Sequence, residues 1–498
     1  MKILVAAGTP QEAAVDTLVV FTPSYEKISD KLLHALDTGS NGTLSTLLKG
    51  EEFSGKAGES VTLYHPQGFV CGRVIVAGLG AEKSIDADSF RRAMGTISRR
   101  KGIRSVDTAA VYFDKSHADP SFAGALIEGY LLGSFKMLNY KTGEESAADT
   151  KLQSLTILTD QKSSLKKIQS AAERGQVIAE GQMLARRLSA TPSNDLTPKK
   201  YVAEAQRLAK ELGFGCKVLD EKAIAKEKMG GLLAVSQGSV EPPRFLIVEH
   251  KGRTDKQKPI VLVGKGVTFD AGGISLKPAA NMHEMKQDMT GSAVVLATIA
   301  TAARLGIARN IVGLIPMTEN MPSGTAIKPG DIITMRKGKT VEIINTDAEG
   351  RLILADALDY ANQYEPQAVI DIATLTGASL FILGYAGAPI VSNNKNLADH
   401  LRESASATAE RIWELPLWDD FRDAMKSDIA DLVNSGGRPA GTLTASAFLE
   451  NFIGDWPWAH IDIAYMDLEP KGTPYTPKGA SGFGVRLLVD LLSNWKKV

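Results

Sequence analysis

The stretch Asn345-Thr346-Asp347-Ala348-Glu349-Gly350-Arg351-Leu352 sets two carboxylates and a guanidinium close together between two apolar segments. Residues 341–344 read as a short buried strand. Residues 352–364 read as an amphipathic helix, with Leu352, Ala355, Leu358 and then Ala361 or Asn362 at helical spacing. The polar run is therefore a loop joining strand to helix, the unit from which α/β sheets are built. Ligands of open α/β sheets bind at the carboxyl ends of the strands, so side chains on such a loop can converge with those of neighbouring loops. The composition suits a metal-dependent catalytic corner. Thr346-x-x-Glu349 ahead of an apolar helix also has the form of a capping box, which needs no chemistry. Arg351 weighs against that simpler reading, because a cation in the first helical turn faces the positive end of the macrodipole and calls for negative charge nearby.

A second polar segment begins where residues 260–263, a buried strand, run into Gly264-Lys265-Gly266 and then Asp270-Ala271-Gly272-Gly273, Lys277, Met285 and Asp288. Each residue has an ordinary role open to it. Asp270 before two glycines suits a turn, Asp288 suits the cap of a helix over 292–305, and a loop lysine commonly points at water. His283 reads as a solvent-facing helix residue.

The 498 residues suffice for two or three domains, and 44% hydrophobic with 23% charged residues is ordinary for a globular chain. Lys plus Arg and Asp plus Glu each number 57, so no global field favours nucleic acid, anionic membranes or acidic substrates. With two cysteines, Cys71 and Cys216, neither a disulfide scaffold nor a thiolate metal site is expected, and a cytoplasmic location is. Residues 2–7 read as a first strand and not a signal peptide. The uncharged, Ala/Thr-rich stretch 289–303 is too short to span a bilayer.

Apolar runs at 18–21, 74–77, 109–113 and 155–158 alternate with helical segments, the βαβ rhythm of a small α/β domain. Gly78-Leu79-Gly80 after one of these strands could cradle a phosphate, but the full glycine fingerprint is absent and a turn is the simpler reading. A long helix over 163–188 breaks at a Pro-rich turn, as an inter-domain connector would. Beyond it come a helix at 201–212 and strands at 244–249, 260–263, 310–315, 369–373 and 460–464. The expectation is an α/β protein: a smaller N-terminal α/β domain (1–162), a connecting helix (163–190) and a larger C-terminal α/β catalytic domain (191–498) with a mixed central sheet flanked by helices.

The run 345–352 matches without a mismatch the signature of the leucine aminopeptidase, or cytosol aminopeptidase, family of dimetallic exopeptidases. The chain resembles that family in specific motifs from about 185 to 498, and before that only in length and α/β rhythm. The resemblance implies that Lys265, Asp270, Asp288, Asp347 and Glu349 hold two divalent metal ions, with Asp270 and Glu349 bridging them. Charge accounting agrees: four carboxylates match two dications, so Lys265 would ligate as a neutral amine with its pKa lowered by the metal. Oxygen-rich donors are not selective for zinc, so manganese, magnesium or cobalt can substitute at one site. No HExxH pattern is present, which argues against a single-zinc protease.

By the same resemblance, Lys277 donates to the oxyanion and Arg351 holds a bicarbonate acting as general base. The substrate's free α-amine binds one metal, which confines cleavage to the first residue. Met285, Thr374, Gly377 and Ala464 surround the first side chain, with Leu375 beside the anion site. That apolar pocket favours leucine or methionine. Peptide substrates, a homo-hexamer and no membrane association complete the expectation. Three rival readings stand beside it. A DNA-binding regulatory role, as in some bacterial relatives, has no support from the balanced charge. A nucleotide-binding Rossmann enzyme lacks its glycine fingerprint. A pseudo-enzyme is at odds with the intact ligand set.

Overall fold

The computed structural model describes residues 1–114, 119–137, 140–142, 151–253 and 257–498, apart from the side chain of Lys101. The chain divides into two compact units, Met1–Glu180 with Lys471–Lys478, and Gly181–Pro470 with Gly479–Val498. The helix Leu165–Ala190 carries residues of both.

The first unit is built on strands β1 (Lys2–Ala7), β2 (Thr17–Thr22), β3 (Ser60–Tyr64), β4 (Arg73–Gly78), β5 (Thr108–Tyr112) and β6 (Ser154–Thr159), in the order β1-β6-β5-β2-β4-β3. All neighbours are parallel except β3, which runs antiparallel to β4 at one edge. Leu18, Val19 and Val20 of β2 are fully buried, as expected of a parallel strand covered on both faces. Gly78-Leu79-Gly80 is a turn: its three amide groups donate to the carbonyls of Glu59, Thr22 and Gly55 at 3.0, 2.9 and 3.1 Å, which leaves none of them for a phosphate.

In the second unit, β7 (Gly215–Leu219), β8 (Arg244–Lys251), β9 (Ile260–Gly264), β10 (Gly266–Asp270) and β11 (Asn310–Asn320) come first. They are followed by β12 (Ile332–Thr334), β13 (Thr340–Glu342), β14 (Ala368–Ala373), β15 (Ala388–Ser392), β16 (Ile412–Glu414), β17 (Leu432–Val433) and β18 (Trp458–Asp462). The main sheet has nine strands in the order β16-β15-β18-β14-β9-β11-β8-β7, with β10 beside β11. Its centre, β18-β14-β9-β11, is parallel, while β15 and β8 pair antiparallel on either side, so the sheet is mixed as expected. Every residue of β9, β14 and β18 is buried.

The segment around 341–344 departs from its reading. The strand is shorter, β13, and belongs to a separate three-stranded sheet, β12-β13-β17, and not to the main one. It stops because the Ile344 amide donates to the Asn434 side chain at 2.8 Å and leaves the ladder. The following helix begins earlier, at Gly350, runs to Tyr360 and tightens into a 3₁₀ turn over Ala361–Tyr364. It is not amphipathic: all its residues are buried, because it packs against the helices Gly230–Ser236 and Gly441–Glu450 and against β9, β11 and β14. Among the described residues, no helix is long and apolar enough to cross a membrane.

Candidate metal centre

Four parallel strands deliver the site from their carboxyl ends. Lys265 follows β9, Asp270 closes β10, Thr374 follows β14 and Ala464 lies just beyond β18. Lys265 is 3% exposed; its ammonium lies 2.8 Å from both Asp288 Oδ1 and Glu349 Oε1 and donates to the Thr374 carbonyl at 3.0 Å. Lys277 reaches Asp270 Oδ2 at 2.9 Å and Asp347 Oδ1 at 2.6 Å. Asp270, Asp347 and Glu349 each present a carboxylate oxygen within 4.8 Å of the other two. A cavity of about 470 Å³ opens over them. The five expected metal ligands, Lys277, and the expected pocket residues Met285, Thr374, Leu375, Gly377 and Ala464 all line it.

Arg351 is the one expected site residue that does not line this cavity. It is 7% exposed on the first turn of its helix, and its Nη1 donates to the Asn434 carbonyl at 3.0 Å. Burial pushes its guanidinium down to about 10, against the pull of Glu349 and Asp462. Its Nε has no hydrogen-bond partner among the described residues.

The cap readings fail. Thr346 Oγ1 donates to the Gly272 carbonyl and accepts from the Ser275 amide, both at 2.7 Å, so it ties two loops together. The helix N-cap is Glu349, whose side chain makes no cap bond. Asp288 caps nothing either. The next helix starts at Thr290 with Met289 at its cap, and Asp288 Oδ1 accepts from Thr374 Oγ1 at 2.8 Å. Asp270 does make its turn, accepting from the Gly272 amide at 2.8 Å. Gly272 has φ 87°, and a Cβ there would meet Ser275 O at 2.6 Å and Asp347 Oδ1 at 2.9 Å, so only glycine lets the loop close on the cluster. His283 is exposed on the turn Met282–Gln287, as read.

The charges are mutually adjusted. Burial raises Asp288 well above the carboxylate range; burial and Glu349 raise Asp270. Burial, Glu349 and Asp270 push Asp347 up to about 6. Burial alone would raise Glu349, but Lys265 and Lys277 outweigh it and hold Glu349 below its ordinary value. Both lysines stand above theirs: burial opposes this, and the surrounding carboxylates outweigh burial.

Three organising residues escaped the sequence reading. Asn320, at the end of β11, donates Nδ2 to Asp270 Oδ1 at 2.8 Å and to the Thr346 carbonyl at 3.0 Å. Asn434 accepts from the amides of Ile344 and Asn345 and donates to the Asn345 carbonyl. Asp462 accepts from the Leu375 and Ala464 amides and, at 2.5 Å, from Thr376 Oγ1, fixing the loop that bears Thr374 and Gly377. Each acts through one side chain on a distant loop, with no spacing pattern to reveal it.

The donor set fits divalent cations. Carboxylates predominate, as hard cations prefer, and Asp288 Oδ2 is buried with no hydrogen-bond partner among the described residues. The unpaired Arg351 Nε is a matching donor for an anion.

The chain is similar to known proteins over most of its length. Residues 183–489 match the catalytic domain of the cytosol aminopeptidase family, and residues 18–144 match its N-terminal domain. A probable cytosol aminopeptidase of Syntrophotalea carbinolica is 44% identical over 470 residues, 94% of this chain and 95% of the relative. One from Chlorobaculum tepidum is 45% identical, over 89% of this chain and 91% of its own. Among solved structures, the bottromycin maturation enzyme BotP, in complex with Mn, is 31% identical with a TM-score of 0.84, covering 96% of this chain and 99% of that one.

Proposed function

The chain belongs to the cytosol aminopeptidase family and is a metalloaminopeptidase, and from that premise we propose that it removes N-terminal residues, leucine and other apolar ones foremost, by two-metal hydrolysis. The observation that carries this reading is the convergence of four carboxylates and Lys265 in one cavity beside Met285 and Ala464. Lys265, Asp270, Asp288, Asp347 and Glu349 would hold two divalent ions, manganese or zinc, with Asp270 and Glu349 shared between them. When bound, such ions supply an activated water and polarise the scissile carbonyl.

The chain's own residues do the rest. Glu349, held ionised by two lysines, and Asp270, fixed by the Gly272 amide and Asn320, need little rearrangement to act as ligands. Ligation by Lys265 requires the neutral amine, so dications must take over the carboxylates that hold it charged. Lys277, 22% exposed and at the cavity wall, would donate to the developing oxyanion. Arg351, with Nε unpaired among the described residues, would hold a bicarbonate, which would supply a general base when bound.

The division at 1–162, 163–190 and 191–498 is proposed as the functional partition, with all the chemistry in the last part. A homo-hexamer is proposed on the family resemblance alone. A cytoplasmic location is proposed from the unpaired Cys71 and Cys216. A nucleic-acid role has no support, since 57 basic residues balance 57 acidic ones.

The test is hydrolysis of leucine p-nitroanilide with and without a chelator. Activity should vanish and return with Mn²⁺ or Zn²⁺, and the N-acetylated substrate should resist. Equal turnover of the blocked substrate would sink the proposal. Asp270→Ala and Glu349→Ala should each release both ions, and retention of both would show that neither residue bridges.

A further inference from the structure

The cavity over the carboxylate cluster has acidic walls that the metal set does not use. Glu284, on the turn Met282–Gln287, and Asp467, on the turn after β18, both line it. Among the described residues neither has a salt-bridge partner. A second, independent observation comes from Gln287: it is 6% exposed, lines the same cavity, and its Oε1 has no hydrogen-bond partner among the described residues. The two lysines of the cavity cannot serve these acceptors, because Lys265 and Lys277 are engaged with Asp288, Glu349, Asp270 and Asp347. An apolar side chain in this cavity would leave Gln287 Oε1 without a partner and bring no counter-charge to Glu284 and Asp467.

We propose that this cavity takes an N-terminal lysine or arginine, its methylene stem against Met285 and Ala464 and its cationic tip against Glu284, Asp467 and the Gln287 amide oxygen. The proposal rests on the aminopeptidase reading above and narrows its substrate class. Lysine and arginine combine an apolar stem with a charged end, so the surface that accepts leucine also accepts their stems. Burial, with Glu284 adding to it, pushes Asp467 up to about 7, and an ammonium brought beside it favours its charged form. Two carboxylates meeting one cation in a partly buried wall attract it more strongly than they would in bulk water. A site built to pair a polar group discriminates against the analogue that lacks it more sharply than an apolar pocket discriminates by size.

The competing role for Asp467 is local. Tyr465 has φ 67°, and backbone N–H groups of Tyr465 and Asp467 act on the Asp467 carboxyl, so the residue also fixes a strained turn. Asparagine keeps an acceptor oxygen and removes the charge, which separates the two roles.

The experiment compares the p-nitroanilides of lysine, norleucine and leucine on the metal-loaded full chain. Lysine and norleucine share one stem and differ in the ammonium. Wild-type kcat/KM should favour lysine over norleucine by about tenfold or more, carried by KM and shrinking as salt is raised. Asp467→Asn and Glu284→Gln should each lower the lysine-to-norleucine ratio by about tenfold. Norleucine equal to or better than lysine with the wild-type chain overturns the inference, and needs no variant to fold. So does an equal fall on both substrates in the variants, which assigns Asp467 to the turn alone. Turnover of leucine and norleucine without lysine overturns this inference only; turnover of none of the three overturns the aminopeptidase reading itself.

Discussion

Replacing Gly350 with alanine sets helix preference against the geometry of the metal centre. Gly350 opens the helix that follows Glu349, and a Cβ there would lie 2.7 Å from Lys265 Cε and Nζ and 2.9 Å from Cδ. Carbon contacts settle at about 3.5–4.0 Å, so the tip of Lys265 must retreat by about 1 Å. That tip is held at 2.8 Å by Asp288 and Glu349 and at 3.0 Å by the Thr374 carbonyl. A retreat of about 1 Å carries at least one of these beyond hydrogen-bond range. Losing one charge-assisted bond costs about 1.5–3 kcal/mol, while alanine in place of glycine in a helix returns about 0.8–1 kcal/mol. The net is a destabilisation of about 0.5–2 kcal/mol, with kcat lowered about 10²-fold because a misplacement of about 1 Å suffices for that. Thermal melting, metal stoichiometry and kcat on leucine p-nitroanilide, read on one preparation, test it. Full metal content with unchanged kcat and a raised Tm would refute the reasoning, since Lys265 would then yield at no cost to function.

Lys277→Ala should keep metal content near normal while kcat falls by about 10²-fold to 10³-fold. Arg351→Ala should lower kcat by roughly 10²-fold to 10⁴-fold and abolish stimulation by bicarbonate; unfolding or metal release in that variant would mark Arg351 as structural, through its bond to Asn434. Asn320→Ala removes one buried donor from Asp270, which keeps the Gly272 amide, and the side-chain donor of the Thr346 carbonyl, and should lower the unfolding free energy by about 1–3 kcal/mol in urea titration; an unchanged midpoint counts against its organising role. His460 is fully buried beside Asp371 at 2.5 Å. Burial pulls its pKa down, but Asp371 outweighs burial and holds it above the ordinary 6.5. The stabilisation from this pair is therefore complete below pH 6.5 and is lost as pH rises through the raised value. The stability gap between wild type and Asp371→Asn should be widest below pH 6.5 and narrow as pH rises above it, and a flat or widening gap would contradict the assignment.

The sequence by itself determined what is local or carried by a family signature. Strands β2, β4, β5, β6, β9 and β14 were legible because they are short, continuous apolar runs, and a strand buried on both faces needs nothing else to be recognised. The carboxylates and lysines of 265–288 and 347–349 could be read as one set only through the family resemblance, since each of them alone has an ordinary turn, cap or solvent-facing role open to it. Where two local patterns coincide, sequence could not choose between them. Thr346-x-x-Glu349 and Asp288 carry the form of helix caps, and only the approach of the Gly272 and Thr374 loops shows that their oxygens bind across the fold. The helix after Gly350 has an amphipathic pattern yet is buried on every side, because what covers its polar face comes from segments distant in the chain. Asn434 bonds to Asn345 across 89 residues, and Glu284 and Asp467 share a wall though they come from separate turns. A pattern in sequence records which face of an element is apolar. Which distant side chain meets it, and so which buried polar group finds a partner and which is left for a substrate, is decided only when the loops close.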